Sequence, residues 1–316
     1  MPQISYADLH CDSVTESCKS GGCFSDFSGQ VNIEKLKRAG CVAQCFALFT
    51  EGENAAEDFE RFAAYYNAQI AIDPRILPVE SYSDLEKAEK SGRIAAILTV
   101  ENMGFLKGDI GGVDRLARLG VKMASLVWNN ANAFAFPNLI FNGNIPDFSA
   151  REARGLTAPG KEAVEELNAK KIIIDISHLS DGGAYDVLSL SSAPVVASHS
   201  NCAAVHPVSR NLTDGLIKKI ANSGGVVGLN FCRDFLGGES AFGAVLAHYK
   251  HLVNIGGEDV AAIGSDFDGI PPYAEIADCG KLPSLFDFLS SHGVRGGAIE
   301  KFARLNFYRV FKEVVG

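Results

Sequence analysis

Six potential metal-ligating side chains recur at the ends of apolar runs in this chain. His10 and Asp12 stand in Asp8-Leu9-His10-Cys11-Asp12, Glu101 in Val100-Glu101-Asn102, and His178 in Asp175-Ile176-Ser177-His178. His199 stands in Ser198-His199-Ser200, and Asp266 in Gly264-Ser265-Asp266-Phe267-Asp268-Gly269. Imidazole nitrogens and carboxylate oxygens together suit Zn2+ and its first-row neighbours. A His-x-Asp pair on an extended segment turns both side chains to one face, because strand side chains alternate. A single Glu can span two ions with its two oxygens, and two ions about 3.5–4 Å apart can share and activate a water. Taken singly, each residue has an ordinary role: Asp266 as a helix cap, Glu101 as an exposed loop acid, His178 and His199 as hydrogen-bonded core histidines. Their shared placement, each directly after an apolar run, favours a two-ion site.

The runs are Ile4–Asp8, Cys41–Phe49, Ile94–Glu101, Lys122–Trp128, Ile172–Ser177, Pro194–Ser198, Val226–Phe231 and Val260–Ser265. They are rich in Val, Ile and Ala with little alternation, as strands buried on both faces are. Between them, Asn32–Ala39, Glu57–Ile72, Gly160–Lys171, Thr213–Ser223 and Phe242–Asn254 carry apolar residues at helical spacing. Thr157 and Pro159 are start signals for the third of these helices. Strand–helix alternation implies parallel pairing. Eight such units in 316 residues fit a closed (β/α)8 TIM barrel of the α/β class better than an open sheet. No Gly-rich phosphate loop follows the first strand, which weakens a nucleotide-binding reading. No linker divides residues 1–316, which read as one domain. Asn129–Leu156 has little periodicity and reads as an extended loop over the barrel mouth. In such a barrel the carboxyl ends of all strands meet on one face, so all six residues converge there.

The composition is that of a globular chain, 47 % hydrophobic and 21 % charged. The net charge of −9 and the lack of a basic block argue against nucleic-acid binding. No apolar run approaches the roughly 18 residues of a membrane helix. Met1 to Asp12 lacks the basic-then-apolar pattern of a signal peptide, so a soluble, cytoplasmic chain is expected. Eight cysteines without a CxxC pair do not read as a zinc–thiolate site, and are expected to be reduced core residues. His248 and His251 are expected on the solvated face of an outer helix, His292 near an exposed turn and His206 in a loop.

The metal-ligating stretches, with Ser209-Arg210-Asn211-Leu212-Thr213-Asp214, resemble those of the membrane (renal) dipeptidase family among the amidohydrolase-like barrels, in the same order from residue 8 to 269. The resemblance implies a zinc peptidase that hydrolyses dipeptides and tolerates a D-residue at the C-terminal position. By that resemblance His10 and Asp12 are ligands of one zinc, Glu101 bridges, and His178 and His199 are ligands of the second. Two Zn2+ per chain follow. Arg210 matches the arginine that holds the substrate's terminal carboxylate. Asp266 matches the strand-eight acid beside the substrate amino group and the reacting water, and is a catalytic residue with Glu101. A homodimer is also implied. Two positions depart from the family: Asn102 replaces a glycine, and Asn129 stands where a histidine polarises the scissile carbonyl. Asn129, or Asn130 if the alignment shifts by one, can donate a hydrogen bond but cannot carry a proton. Other readings are a binuclear amidohydrolase acting on N-acyl amino acids, lactones or phosphoesters, and a non-catalytic metal-binding protein. The expected partner is a dipeptide, with no nucleic acid and no membrane.

Overall fold

The computed structural model describes residues 3–139, 141–142, 145–271 and 273–316. Eight parallel strands follow one another around a closed barrel. They are β1 (Tyr6–Asp8), β2 (Cys41–Phe49), β3 (Ile94–Glu101), β4 (Met123–Ser125), β5 (Ile173–Asp175), β6 (Val196–Ala197), β7 (Val226–Leu229) and β8 (Ala261–Ile263), with β8 pairing back to β1. Each apolar run of the sequence holds one strand. A further strand, Ile76–Pro78, pairs with the start of β3, and its three residues are too few to stand out in the sequence.

The strand β3 shows how the sequence places a functional side chain. All eight of its residues are buried. Its register with β2 runs from Ala43↔Ala95 to Phe49↔Glu101. Ala95 and Ile97 join the core inside the barrel, whereas Ile94, Ala96, Leu98 and Val100 join the core beneath the outer helices. The same period of two turns Glu101 inward at the mouth. At the opposite end, Phe307, Val310 and Phe311 of the helix Asn306–Val314 pack into the inner core, and Asn306 Nδ2 donates to the Ala261 carbonyl at 2.9 Å. The barrel is thus plugged below and open above.

The expected helices form, and Thr157 caps its helix as expected. Asn32 Oδ1 accepts the Lys35 amide at 2.8 Å to start Ile33–Ala39, and Gly40 at φ 80° ends it. Thr157 Oγ1 accepts the Gly160 amide at 3.1 Å at the head of Ala158–Ala169. The helices Ala55–Ile72, Asp214–Asn222 and Ala241–Gly256 complete the set.

One expectation fails on Ala241–Gly256. His248 is fully buried, not solvated: its Nδ1 accepts the Cys202 amide at 3.1 Å and its Nε2 lies 2.9 Å from the Leu236 carbonyl. It falls on the stripe of Ala241, Val245 and Leu252, at helical spacing from each, so the packed face carries it inward. His251 is partly exposed and pairs with Asp214 at 2.7 Å.

The loop Asn129–Leu156 is not wholly irregular. Phe141–Asn142 pairs antiparallel with Ile145–Pro146, and Phe148–Glu152 is helical. Residues 140, 143 and 144 lie outside the described residues. All eight cysteines are free thiols. Among the described residues no helix is long and apolar enough to cross a membrane.

Candidate metal centre

His10 Nε2 lies 3.5 Å from Asp12 Oδ2, 3.6 Å from Glu101 Oε2 and 3.7 Å from Asp266 Oδ1. Glu101 turns its other oxygen away: Oε1 lies 2.9 Å from His178 Nε2 and 3.5 Å from His199 Nε2. The two imidazole nitrogens are themselves 2.9 Å apart. One carboxylate therefore faces two ligand sets with its two oxygens, which is the geometry of a bridge. All six residues are buried. The fold brings together every metal-ligating residue expected from the sequence. Asp266 is closer to that set than expected, since its carboxylate converges with His10 and Asp12 within 4.8 Å.

The donor types of these residues fit divalent cations. Three carboxylates, those of Asp12, Glu101 and Asp266, share a buried volume with three histidines. Among the described residues, Asp12 Oδ1 and His10 Nε2 are buried without a hydrogen-bond partner, and orphaned polar atoms of this kind point to an ion. Burial alone would lower the His10 pKa, but Glu101 and Asp12 hold it well above the usual range, so the site favours positive charge beside them. Burial, then the Arg210 charge, bring His178 down to about 4. Burial, then the His10 charge, likewise hold His199 low. Both rings are thus poised as neutral ligands. Burial drives the Asp266 carboxyl up to about 7 against the pull of His10.

Hydrogen bonds at the far ring nitrogens orient His178 and His199. Asn129 Oδ1 is 3.1 Å from His178 Nδ1. An amide oxygen only accepts, so His178 carries its proton there and leaves Nε2 bare. Asn130 instead reaches Glu51 on the surface, so Asn129 is the residue turned to the site. Sequence reasoning missed Asp175, Ser198 and Asn230. Asp175 accepts from Ser198, whose Oγ is 2.7 Å from His199 Nδ1, and Asn230 Nδ2 donates to Asp266 Oδ2 at 2.8 Å. Each is a polar residue inside one of the apolar runs, which was the signal it left.

Two backbone features hold the loops. Asn102 sits at φ 72°, the left-handed region where glycine is favoured and asparagine is the best-tolerated substitute. Its side chain donates to the Thr50 carbonyl at 2.8 Å and accepts the Gly104 amide at 3.0 Å. Asp266 and Asp268 are also left-handed, at φ 64° and 67°, a strain that surrounding contacts must hold in place.

Above the ligands opens a cavity of about 540 Å³, lined on its apolar side by Phe49, Trp128, Leu139, Phe235 and Ile270. Arg210 enters it, although only 3 % exposed. Its Nη1 donates to the Ser177 carbonyl and its Nη2 to the His199 carbonyl at 3.2 Å, and its guanidinium lies over Phe235. These bonds fix the fork while leaving donors for a ligand.

The comparison with known proteins decides the family. A family model described as membrane dipeptidase, peptidase family M19, matches residues 1–315. The chain belongs to that family. An uncharacterised dipeptidase of Schizosaccharomyces pombe is 31 % identical over 90 % of this chain and 72 % of its own. Among solved structures, a family M19 dipeptidase superposes with a TM-score of 0.91 at 28 % identity, covering 99 % of both chains. A metallopeptidase of Rhodobacter sphaeroides, solved with a phosphinate mimic of L-Ala-D-Ala, superposes at 0.89 with 26 % identity and the same coverage. Family membership makes this chain a hydrolase, a metal-dependent dipeptidase.

Proposed function

We propose that this protein hydrolyses the peptide bond of free dipeptides at a two-zinc centre, as one catalytic domain over residues 1–316. The observation that carries the reading is the division of Glu101, with Oε2 toward His10 and Oε1 toward His178 and His199. His10 and Asp12 would hold one ion, His178 and His199 the other, and Glu101 both. Bound there, the ions would supply Lewis acidity for the carbonyl oxygen and acidify the attacking water. Asp266, fixed by Asn230, takes the water's proton and returns it to the leaving amine. Asn129 donates from its Nδ2 toward the scissile carbonyl, its oxygen being committed to His178. Arg210 clamps the terminal carboxylate. The negative charge of Asp266 favours the substrate ammonium group, so the two ends of a dipeptide are measured around one bond.

The phosphinate complex of the Rhodobacter sphaeroides relative, a mimic of L-Ala-D-Ala, supports tolerance of a D-residue at the C-terminal position. Free thiols at all eight cysteines support a cytoplasmic location.

The test compares a dipeptide with its C-terminal amide, in wild type and Arg210→Ala. Losing a charge-assisted hydrogen bond in a buried pocket costs about 2–4 kcal/mol, or roughly 30- to 1000-fold in kcat/KM. Wild type should discriminate against the amide by that factor, and Arg210→Ala should lose most of the discrimination. Equal rates on acid and amide in wild type would remove Arg210 from substrate recognition.

A further inference from the structure

Asp175 ends β5, and its buried carboxylate does not line the substrate cavity. It is saturated by the two serines that precede the histidine ligands. Its Oδ1 accepts the Ser177 amide at 3.0 Å, Ser177 Oγ at 2.6 Å and the Ser198 amide at 2.9 Å, and its Oδ2 accepts Ser198 Oγ. Ser198 Oγ in turn lies 2.7 Å from His199 Nδ1. A serine hydroxyl has one proton to give. With that proton committed to Asp175, Ser198 can only accept from His199. His199 therefore carries its hydrogen on Nδ1 and leaves Nε2 bare on the side of Glu101, free to meet an ion held between them. Ser177 Oγ is 3.1 Å from Ser198 Oγ, but its own proton goes to Asp175, so it offers no competing donor. The same hydroxyl accepts the His199 amide at 3.1 Å, which fixes the backbone that carries the ring.

We propose that Asp175 is a positioning residue that sets the tautomer of His199 through Ser198. Its effect on metal affinity rests on the reading of His199 as a ligand, whereas the tautomer itself does not. Asp175→Asn is nearly isosteric, and its outcome follows from the donors present. The amide oxygen must stay where three donors converge, so the NH2 group faces Ser198 Oγ. An NH2 group cannot accept, so the Ser198 hydroxyl turns to donate to His199 Nδ1. The ring proton then moves to Nε2, where His178 Nε2 at 2.9 Å and Glu101 Oε1 at 3.5 Å can accept it. A protonated Nε2 cannot coordinate an ion.

The experiment is long-range 1H–15N spectroscopy of the histidines in the full-length chain after chelation, with zinc affinity measured by chelator competition. Wild type, Asp175→Asn and Ser198→Ala are compared. Wild type should show the Nδ1–H form at His199. Asp175→Asn should show the Nε2–H form and bind zinc roughly 10- to 100-fold more weakly. Ser198→Ala keeps Asp175 and its other bonds but breaks the relay, so His199 should lose its single-tautomer signature. That variant decides the matter if Asp175→Asn does not fold. An Nε2–H form in wild type, or an unchanged Nδ1–H form in the folded variants, would overturn the proposal. A swapped tautomer with unchanged zinc affinity would uphold the relay and overturn His199 as a ligand instead.

Discussion

Around His10, three carboxylates approach one imidazole within 3.7 Å, and the smallest residue nearby sets how closely they gather. A Cβ on Gly269 would lie 2.1 Å from Asp12 Oδ2 and 3.0 Å from Asp266 Oδ1. Gly269→Ala should therefore push Asp12 out of the ligand set, weakening metal affinity by about tenfold or more while circular dichroism stays unchanged. Unaltered affinity in a chelator titration would show that Asp12 is not needed there. At this scale the clustering of the candidate ligands was legible because imidazoles and carboxylates stand out at the ends of Val- and Ile-rich runs. Asp175 and Asn230 were not, because each acts on a neighbouring side chain and leaves no spacing of its own. Cys11 followed its expected alternation: it sits between His10 and Asp12, yet joins the outer core and donates to the Cys45 carbonyl at 3.4 Å.

Each barrel strand was legible because a strand buried on both faces must be apolar throughout, and β3 is the clearest case. The strand Ile76–Pro78 and the hairpin of Phe141–Asn142 with Ile145–Pro146 were hidden, being too short to build a period. The error on the helix Ala241–Gly256 came from treating two histidines three apart as solvated, when one of them lies on the packed stripe. That burial has a measurable consequence. Burial lowers the His248 pKa to about 4, with the Leu236 hydrogen bond opposing, whereas an unfolded histidine titrates near about 6.5. Between those values the unfolded chain binds a proton that the folded chain refuses, so this residue's contribution to stability is lost as pH falls from about 6.5 to about 4. The slope is about 1.4 kcal/mol per pH unit, at most about 3.5 kcal/mol in total. His248→Gln should be less stable than wild type at pH 7, yet lose less stability across that window. Parallel denaturant curves for the two proteins from pH 7 to pH 4 would show that His248 titrates normally in the fold.

For the whole molecule, the candidate ligands are distributed among the ends of β1, β3, β5, β6 and β8, so any ion held there ties together strands from both halves of the barrel. Binding to the folded chain alone at about 1,000 times Kd adds about 4 kcal/mol. Chelation should then lower Tm by on the order of 5–10 °C, and zinc should restore it. A Tm indifferent to chelator would mean that the ions bind weakly or elsewhere. Barrel closure was legible from the count of strand–helix units, and the plug at its lower end was not, because the amphipathic helix Asn306–Val314 resembles any outer helix until its partner core is known. The most direct measurement is the metal content of purified, zinc-replete protein by elemental analysis, in wild type and in Glu101→Gln. A two-ion centre bridged by Glu101 predicts about two zinc ions per chain in wild type and clearly fewer in the variant, because a neutral amide bridges two cations poorly. One ion per chain, or none, in the wild type would contradict it.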